Sequence, residues 1–312
     1  MREACFNFRG RQLCFGAFLV LFGVIGCRPE HDNVVVVYTS QDQIYAEQIL
    51  ADFTRETGVK VLPLFDSESA KTAGLMNRLV AERARPRCDV FWSNEEMMVR
   101  RLGRKGVIDS ERITTFGYRT RRLVINTNYV QPSDLPLDLQ GLTDPRWKGH
   151  VAMAYPLFGT TTTHFMALRA VWGKEVWERW CRDLVENEIM IVDGNSAVVR
   201  LVGQGEAWLG LTDYDDVAVG IRNDLPVKAL PMTPEFAAMA NSVALVHGGP
   251  HRKNARRFVD YLQQRESQER LVDLGALEGV DMGELSYLRT DWVRVINDFD
   301  EVYSWLKETF LR

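Results

Sequence analysis

The sequence predicts an α/β protein with two lobes, each a doubly wound sheet flanked by helices and joined by crossing strands. Two observations predict it. A strand, a polar turn and a helix recur three times between Val34 and Leu102, the rhythm of a mostly parallel sheet. Past a loop-like stretch, Leu135 to Trp147, broken by Pro136 and Asp144-Pro145, Val151 to Ala154 restarts the sheet. The chain is also long enough for two lobes, since about 285 of its 312 residues follow the leader described next.

The leader is residues 1–27. Arg2, Arg9 and Arg11 make a basic start, Leu13 to Ile25 is almost wholly apolar, and Gly26-Cys27 closes the run. Such a segment is short for a bilayer span and has the order of a secretory signal. Its end resembles the bacterial lipobox, in which Cys27 would carry lipid and begin the mature chain. An ordinary signal peptide or an uncleaved anchor is the alternative. Residues 28–33 are polar and read as a tether.

Val34 to Tyr38 is a continuous β-branched run, as expected of a strand buried on both faces. Thr39 to Asp42 is a turn with helix-capping residues, and Ile44, Ile49, Leu50 and Phe53 repeat at helical spacing up to Gly58. Val59 to Phe65 is a second strand, ending in Asp66-Ser67-Glu68-Ser69, and Leu75, Leu79 and Val80 mark the next helix. Cys88 to Trp92 is a third strand, ending in Ser93-Asn94-Glu95-Glu96, before a helix with Met97, Met98 and Leu102. All three acidic turns should open on one sheet edge, where ligands collect in such folds. Each acid there is a cap or a ligand.

Arg121 to Asn126 reads as a short strand crossing into the second lobe. After Val151 to Ala154 comes Gly159 and then Thr160 to Thr163. A glycine followed by threonines at a helix start offers unpaired N–H groups and hydroxyls, a cradle for an anion or a plain cap. Trp177 and Trp180 lie three apart on a helix and read as core. Asn195-Ser196 caps a helix leading to Gly205–Val217, the central stretch. There Trp208, Leu209 and Leu211 suggest a buried strand ending in Asp213-Tyr214-Asp215-Asp216, a hard, oxygen-rich set suited to a cation, or a solvated capping turn. Val227 to Leu230 and Ser242 to His247 are strands, the latter returning to the first lobe. One helix should carry Phe258, Leu262 and Leu271, and another spans Trp292 to Leu311. The expected organisation is 34–126 plus 240–288 for lobe 1, 127–239 for lobe 2 and 289–312 for a C-terminal helix.

A net charge of −4 argues against nucleic acid, whose binders need a basic face. Beyond the leader only Cys88 and Cys181 remain, neither a disulfide framework nor a zinc pattern. Whether they pair is left open by the sequence. None of His31, His150, His164, His247 and His251 has paired-ligand spacing, and no Gly-x-Ser-x-Gly or phosphate-loop motif occurs.

The order of features resembles the extracellular solute-binding proteins of ABC importers, in particular their ferric-ion-binding branch. The matching pieces are Val-Tyr-Thr-Ser-Gln from Val37, Phe-Thr-Arg-Glu-Thr-Gly-Val-Lys from Phe53 and Cys-Asp-Val-Phe-Trp-Ser from Cys88. Thr-Asp-Pro-Arg-Trp-Lys-Gly from Thr143, Asn195-Ser196 and Gly-Glu-Ala-Trp-Leu-Gly-Leu-Thr-Asp from Gly205 follow. The resemblance covers essentially the whole mature chain. It implies a type II periplasmic-binding-protein fold, no catalysis, a monomer anchored to the membrane through Cys27, and an ABC permease and ATPase as partners.

Carried over by position, the resemblance puts Asp42 where relatives have a histidine ligand, and Asn94, with Glu95 beside it, where they have a glutamate. The adjacent tyrosines that hold ferric ion fall on Asp215 and Asp216, with Tyr214 just before. Gly159, Thr160, Thr161 and Asn195 match the region that holds a synergistic anion. The expected ligand-binding set is therefore Asp42, Glu68, Asn94 and Glu95 from the first lobe, with Thr160, Thr161, Asn195, Tyr214, Asp215 and Asp216 from the second. Asp42, Glu95, Tyr214, Asp215 and Asp216 would hold a metal. The expected ligand is iron(III) or another metal ion, with or without an anion. The alternatives are an organic cation, a phosphonate or phosphate ester, and, as an enzyme, a metal-dependent hydrolase.

Overall fold

The computed structural model describes residues 33–66, 73–231, 233–283 and 285–311. The leader with Cys27, nearly all of the tether, and Glu68 lie outside the described residues. Among the described residues no helix is long and apolar enough to cross a membrane.

The first lobe opens as the periodicity predicts. Strand β1 (Val34–Thr39) is followed by α1 (Gln43–Thr57), β2 (Lys60–Phe65), α2 (Ala73–Ala81), β3 (Val90–Ser93) and α3 (Met97–Arg104). Strands β2, β1 and β3 pair in parallel in that order. Helix α1 ends at Gly58, whose φ of 68° is the left-handed stop expected of a helix C-terminus. Strand β2 lies at the end of the sheet, which is where its Pro63 costs no ladder hydrogen bond.

Strand β4 (Thr114–Asn126) crosses the molecule. Its first half, to Thr120, pairs antiparallel with β9 (Ala238–Leu245), and its second half, from Arg121, pairs antiparallel with β7 (Leu209–Asp213). It is longer than the sequence suggested, and β9 starts four residues earlier than expected. Neither extension carries apolar alternation; each is held as strand by the other. A bulge falls at Gly117, whose φ is +53° and where a Cβ would lie 2.4 Å from Leu277 Cδ1, so only glycine fits the kink.

The second lobe comprises β5 (Val151–Ala154), α4 (Gly159–Trp172), α5 (Lys174–Glu186), β6 (Met190–Val192), α6 (Asn195–Gln204), β7, α7 (Tyr214–Arg222) and β8 (Val227–Ala229). Strand β5 lies between β7 and β6, parallel to both, and β8 pairs with the end of β4. The whole sheet runs β2-β1-β3-β9-β4-β7-β5-β6.

The predicted helix over Phe258 and Leu271 is two helices, α8 (Arg252–Leu262) and α9 (Arg265–Asp273). The last helix, α10 (Trp292–Phe310), begins on Asp291, whose carboxylate accepts from the N–H groups of Val293 and Arg294. It packs against α3, α4 and α5. Arg169 of α4 reaches Asp298 at 2.8 Å and Glu301 at 3.1 Å on α10. Trp177 and Trp180 are core, at 0% and 3% exposure. Cys88 and Cys181 are buried and unbridged, and burial pushes both thiols up.

Candidate functional site

A cavity at the ends of the strands brings three of the predicted turns together. It is lined by Asp42 before α1, Asn94 after β3, the starts of α4 and α6, Arg119 of β4, and Asp193, Asp213 and Asp216. The turns after β1 and β3 are tied to each other. Ser40 Oγ lies 3.1 Å from Ser93 Oγ and donates to Asn94 Oδ1 at 3.2 Å.

Two helix N-termini converge on the cavity. Gly159, Thr160 and Thr161 begin α4, and Asn195 and Ser196 begin α6. Neither helix has a side-chain N-cap or an acidic residue in its first turn. Their first N–H groups lack intrahelical partners and carry the positive end of the dipole, which suits an anion. Gly159 has a φ of +55°, the left-handed conformation that favours glycine, and that turns the chain into α4.

Against these helix starts lies the acidic end of β7, and two arginines partly neutralise it. Arg121, wholly buried, donates from Nη1 to Asp213 Oδ1 at 2.9 Å and to Asn195 Oδ1 at 3.0 Å. Asp213 Oδ2 accepts from Thr160 Oγ1 at 2.7 Å and from Asn195 Nδ2 at 2.9 Å. Arg119 Nη1 reaches Asp215 Oδ2 at 2.8 Å, and its Nη2 lies 3.8 Å from Asp213. Burial opposes charge on Asp213, but the Arg121 and Arg119 guanidiniums hold its carboxyl below the usual range. Burial, less the attraction of Arg119, pushes Asp215 up. Burial and the neighbouring Asp215 and Asp213 push Asp216 well up. Three neighbouring carboxyls thus share two guanidiniums, and charge is favoured most on Asp213.

The predicted residues divide. Asp42, Asn94, Thr160, Thr161, Asn195 and Asp216 line the cavity, and Asp215 stands behind it on Arg119. Glu95 is not at the cavity wall. It is fully buried, its carboxylate accepts from Met97 N at 2.7 Å, Met98 N at 3.1 Å and Thr163 Oγ1 at 3.1 Å, and burial pushes it up to about 7. It closes the first turn of α3 and ties it to α4, because an acid two residues beyond a strand reaches back to the helix it precedes. Tyr214 faces a separate groove beside β8, with the Arg122 guanidinium 5.3 Å from its ring centre. At about 100° per residue, the first position of α7 points away from the second and third. The five-residue metal set is therefore not assembled. Among the described residues, the carboxylates that gather as a group of three within 4.8 Å of one another are Asp213, Asp215 and Asp216.

Sequence reasoning missed Arg119, Arg121, Asp193 and Ser196. The signal for the arginines was their spacing: two apart in a strand, they share a face, and here both reach Asp213.

Comparison with known proteins places the chain. The bacterial extracellular solute-binding protein family matches residues 34–276. An uncharacterized Haemophilus influenzae protein is 28% identical over 158 residues, a match spanning 50% of this chain and 44% of that one. Iron uptake protein A1 of Synechocystis is 24% identical over 270 residues, covering 77% of this chain and 74% of its own. Iron-bound HitA of Pseudomonas aeruginosa superposes with a TM-score of 0.78 at 18% identity, over 89% of this chain and 99% of that one. AfuA of Actinobacillus pleuropneumoniae, solved with exogenous fructose 6-phosphate bound, gives 0.78 at 17% identity, over 89% and 98%. The crossing of β4 between two sheet halves, with the cavity at the strand ends, is thus the two-lobed type II periplasmic-binding-protein fold. The chain belongs to the bacterial extracellular solute-binding proteins, which serve transport and are not enzymes.

Proposed function

We propose that this protein is the solute-binding component of an ABC importer and that its solute carries an oxyanion group, a phosphate ester or phosphonate. The protein is held outside the cytoplasm by lipid on Cys27 and acts as a monomer. The ligand bridges the lobes, stabilises the closed form by its differential affinity, and that form docks on the permease and its ATPase.

The observation that carries the ligand class is the meeting of two helix N-termini without side-chain caps with Arg119 at one cavity. Backbone N–H groups, hydroxyls and a guanidinium are the donors a phosphoryl group accepts from. The likeness to AfuA with its sugar phosphate supports the same class.

Iron(III) with an accompanying anion is the second reading, favoured by the Asp213, Asp215 and Asp216 triplet and by the iron-bound HitA relative. Weighing against it, guanidinium nitrogens 2.8–2.9 Å from Asp215 and Asp213 already hold oxygens a cation would need. Tyr214 faces the other groove, which leaves Tyr155 at the cavity wall and Tyr45 in the field of Asp215 and Asp216 as the nearby phenols.

A thermal-shift series on the purified mature chain separates the readings. Phosphonates and phosphate monoesters should raise Tm by several degrees at 1 mM, and ferric citrate should not. A shift with ferric citrate alone replaces the first reading by the second.

A further inference from the structure

The cavity takes the carboxyl ends of β1 and β3, so the opposite edge of lobe 1 holds their beginnings. Strand β9 runs antiparallel to β3, with Leu245 beside Val90, and its end reaches that same edge. Three connections meet there, from α2 to β3, from α3 to β4 and from β9 to α8. Arg83 Nη1 donates to Lys105 O at 3.2 Å, which joins the first to the second. His247 shares one small cleft with Arg83 and Arg87 and another with Arg112 and Arg252, which brings in the third.

This edge is strongly basic although the whole chain carries a net charge of −4. Arg83, Arg85, Arg87, Lys105, Arg252 and Lys253 are all exposed, and none has a carboxylate partner among the described residues. The acids nearby are engaged. Asp89, 1% exposed, accepts from Val36 N at 2.8 Å and His251 N at 2.6 Å. Glu82 holds Arg78 at 2.8 Å, and Asp109 lies 3.4 Å from Arg112. The chain also enters the body here: Val34 begins β1, and its carbonyl accepts at 2.9 Å from Asn254 Nδ2, next after Lys253 in the first turn of α8.

We infer that this edge of lobe 1 is a docking surface for the anionic headgroups of a phospholipid bilayer. Cations gathered on one edge of a chain that is acidic overall repel one another, and a negatively charged surface offsets that repulsion. The geometry takes the Cys27 anchor from the reading above. Residues 28–33 span at most about 20 Å, so lipid on Cys27 keeps this edge within a few Debye lengths of the bilayer, each about 8 Å at physiological salt. Set so, the undocked protein holds the cavity edge of lobe 1 away from the bilayer, toward arriving solute.

Vesicle co-sedimentation of the purified mature chain, made without lipid, tests it. At about 50 mM salt the chain should bind phosphatidylcholine vesicles containing about 30% phosphatidylglycerol and ignore pure phosphatidylcholine, and about 300 mM salt should release it. Arg85→Glu combined with Arg87→Glu should weaken binding roughly tenfold or more, since each cation near an anionic surface is worth about fivefold. Arg179→Glu combined with Arg200→Glu, an equal change in net charge at exposed positions of lobe 2, should leave binding within about twofold of wild type. No binding to the anionic vesicles, equal binding to the neutral ones, or equal loss in both variants overturns the proposal. The assay contains neither anchor nor solute, so its outcome is separate from the function proposed above, whose anchor is tested by membrane retention of Cys27→Ser.

Discussion

Replacing Arg121 with methionine tests whether the buried charge network holds the second lobe together. Arg121 is 0% exposed and donates to Asp213, Asn195 and, at 3.4 Å, Thr160. Methionine keeps the length and removes the charge. Breaking one partner out of a buried ion pair costs about 3–5 kcal/mol, because the other charge stays buried. Two facts place Arg121→Met at the low end. Asp213 keeps Thr160, Asn195 and the more distant Arg119. The buried Nε and Nη2 of Arg121 have no partner among the described residues, so their removal relieves a desolvation cost. The expected loss is roughly 3 kcal/mol. Unfolding entropy for a chain of this size is about 0.6 kcal/mol per kelvin, so Tm should fall by roughly 5 °C. Calorimetry and urea unfolding at pH 7 measure it. Arg121→Met combined with Asp213→Asn should be less destabilised than the sum of the two single changes, by about 1 kcal/mol or more. A single variant within 1 °C of wild type, or strict additivity, refutes the reasoning.

Three further outcomes are expected. Burial raises Glu95 from 4.5 to about 7 in the folded state, so the folded protein keeps a proton there that the unfolded chain has lost. Its contribution to stability therefore falls as pH rises from about 4.5 to 7, by roughly 3 kcal/mol in all. The Tm of Glu95→Gln minus that of wild type should rise across that window, and a flat difference would refute the burial argument. Thr161→Val, at a buried residue of the cavity wall, should weaken phosphonate binding severalfold with Tm within about 2 °C; unchanged binding would remove the α4 start from the site. Cys27→Ser should move the protein expressed in a bacterial host from the membrane to the soluble fraction. Retention in the membrane would exclude lipid as the anchor.

Much of the fold was legible because it is local. The β-branched run of β1, the helical spacing of Ile49, Leu50 and Phe53, and the stop at Gly58 each declare an element within a few residues. The first half of β4, Thr114 to Thr120, declares nothing, since it is strand only because β9 lies beside it. The break between α8 and α9 was equally silent, because Gln263 and Gln264 are ordinary helix residues.

The sequence by itself determined that polar turns follow buried strands, that acids gather after β7 and that threonines open α4, since hydrophobic period and turn chemistry act over short spans of chain. Only the tertiary structure decided which of those groups meet. Arg121 and Asp213 stand 92 positions apart, and Arg119 and Asp215 stand 96. Coulomb attraction between them acts through space and leaves no period in the sequence. The rotation of α7 then separates Tyr214 from Asp216 by geometry alone, turning one side chain to a surface groove and the other to the cavity.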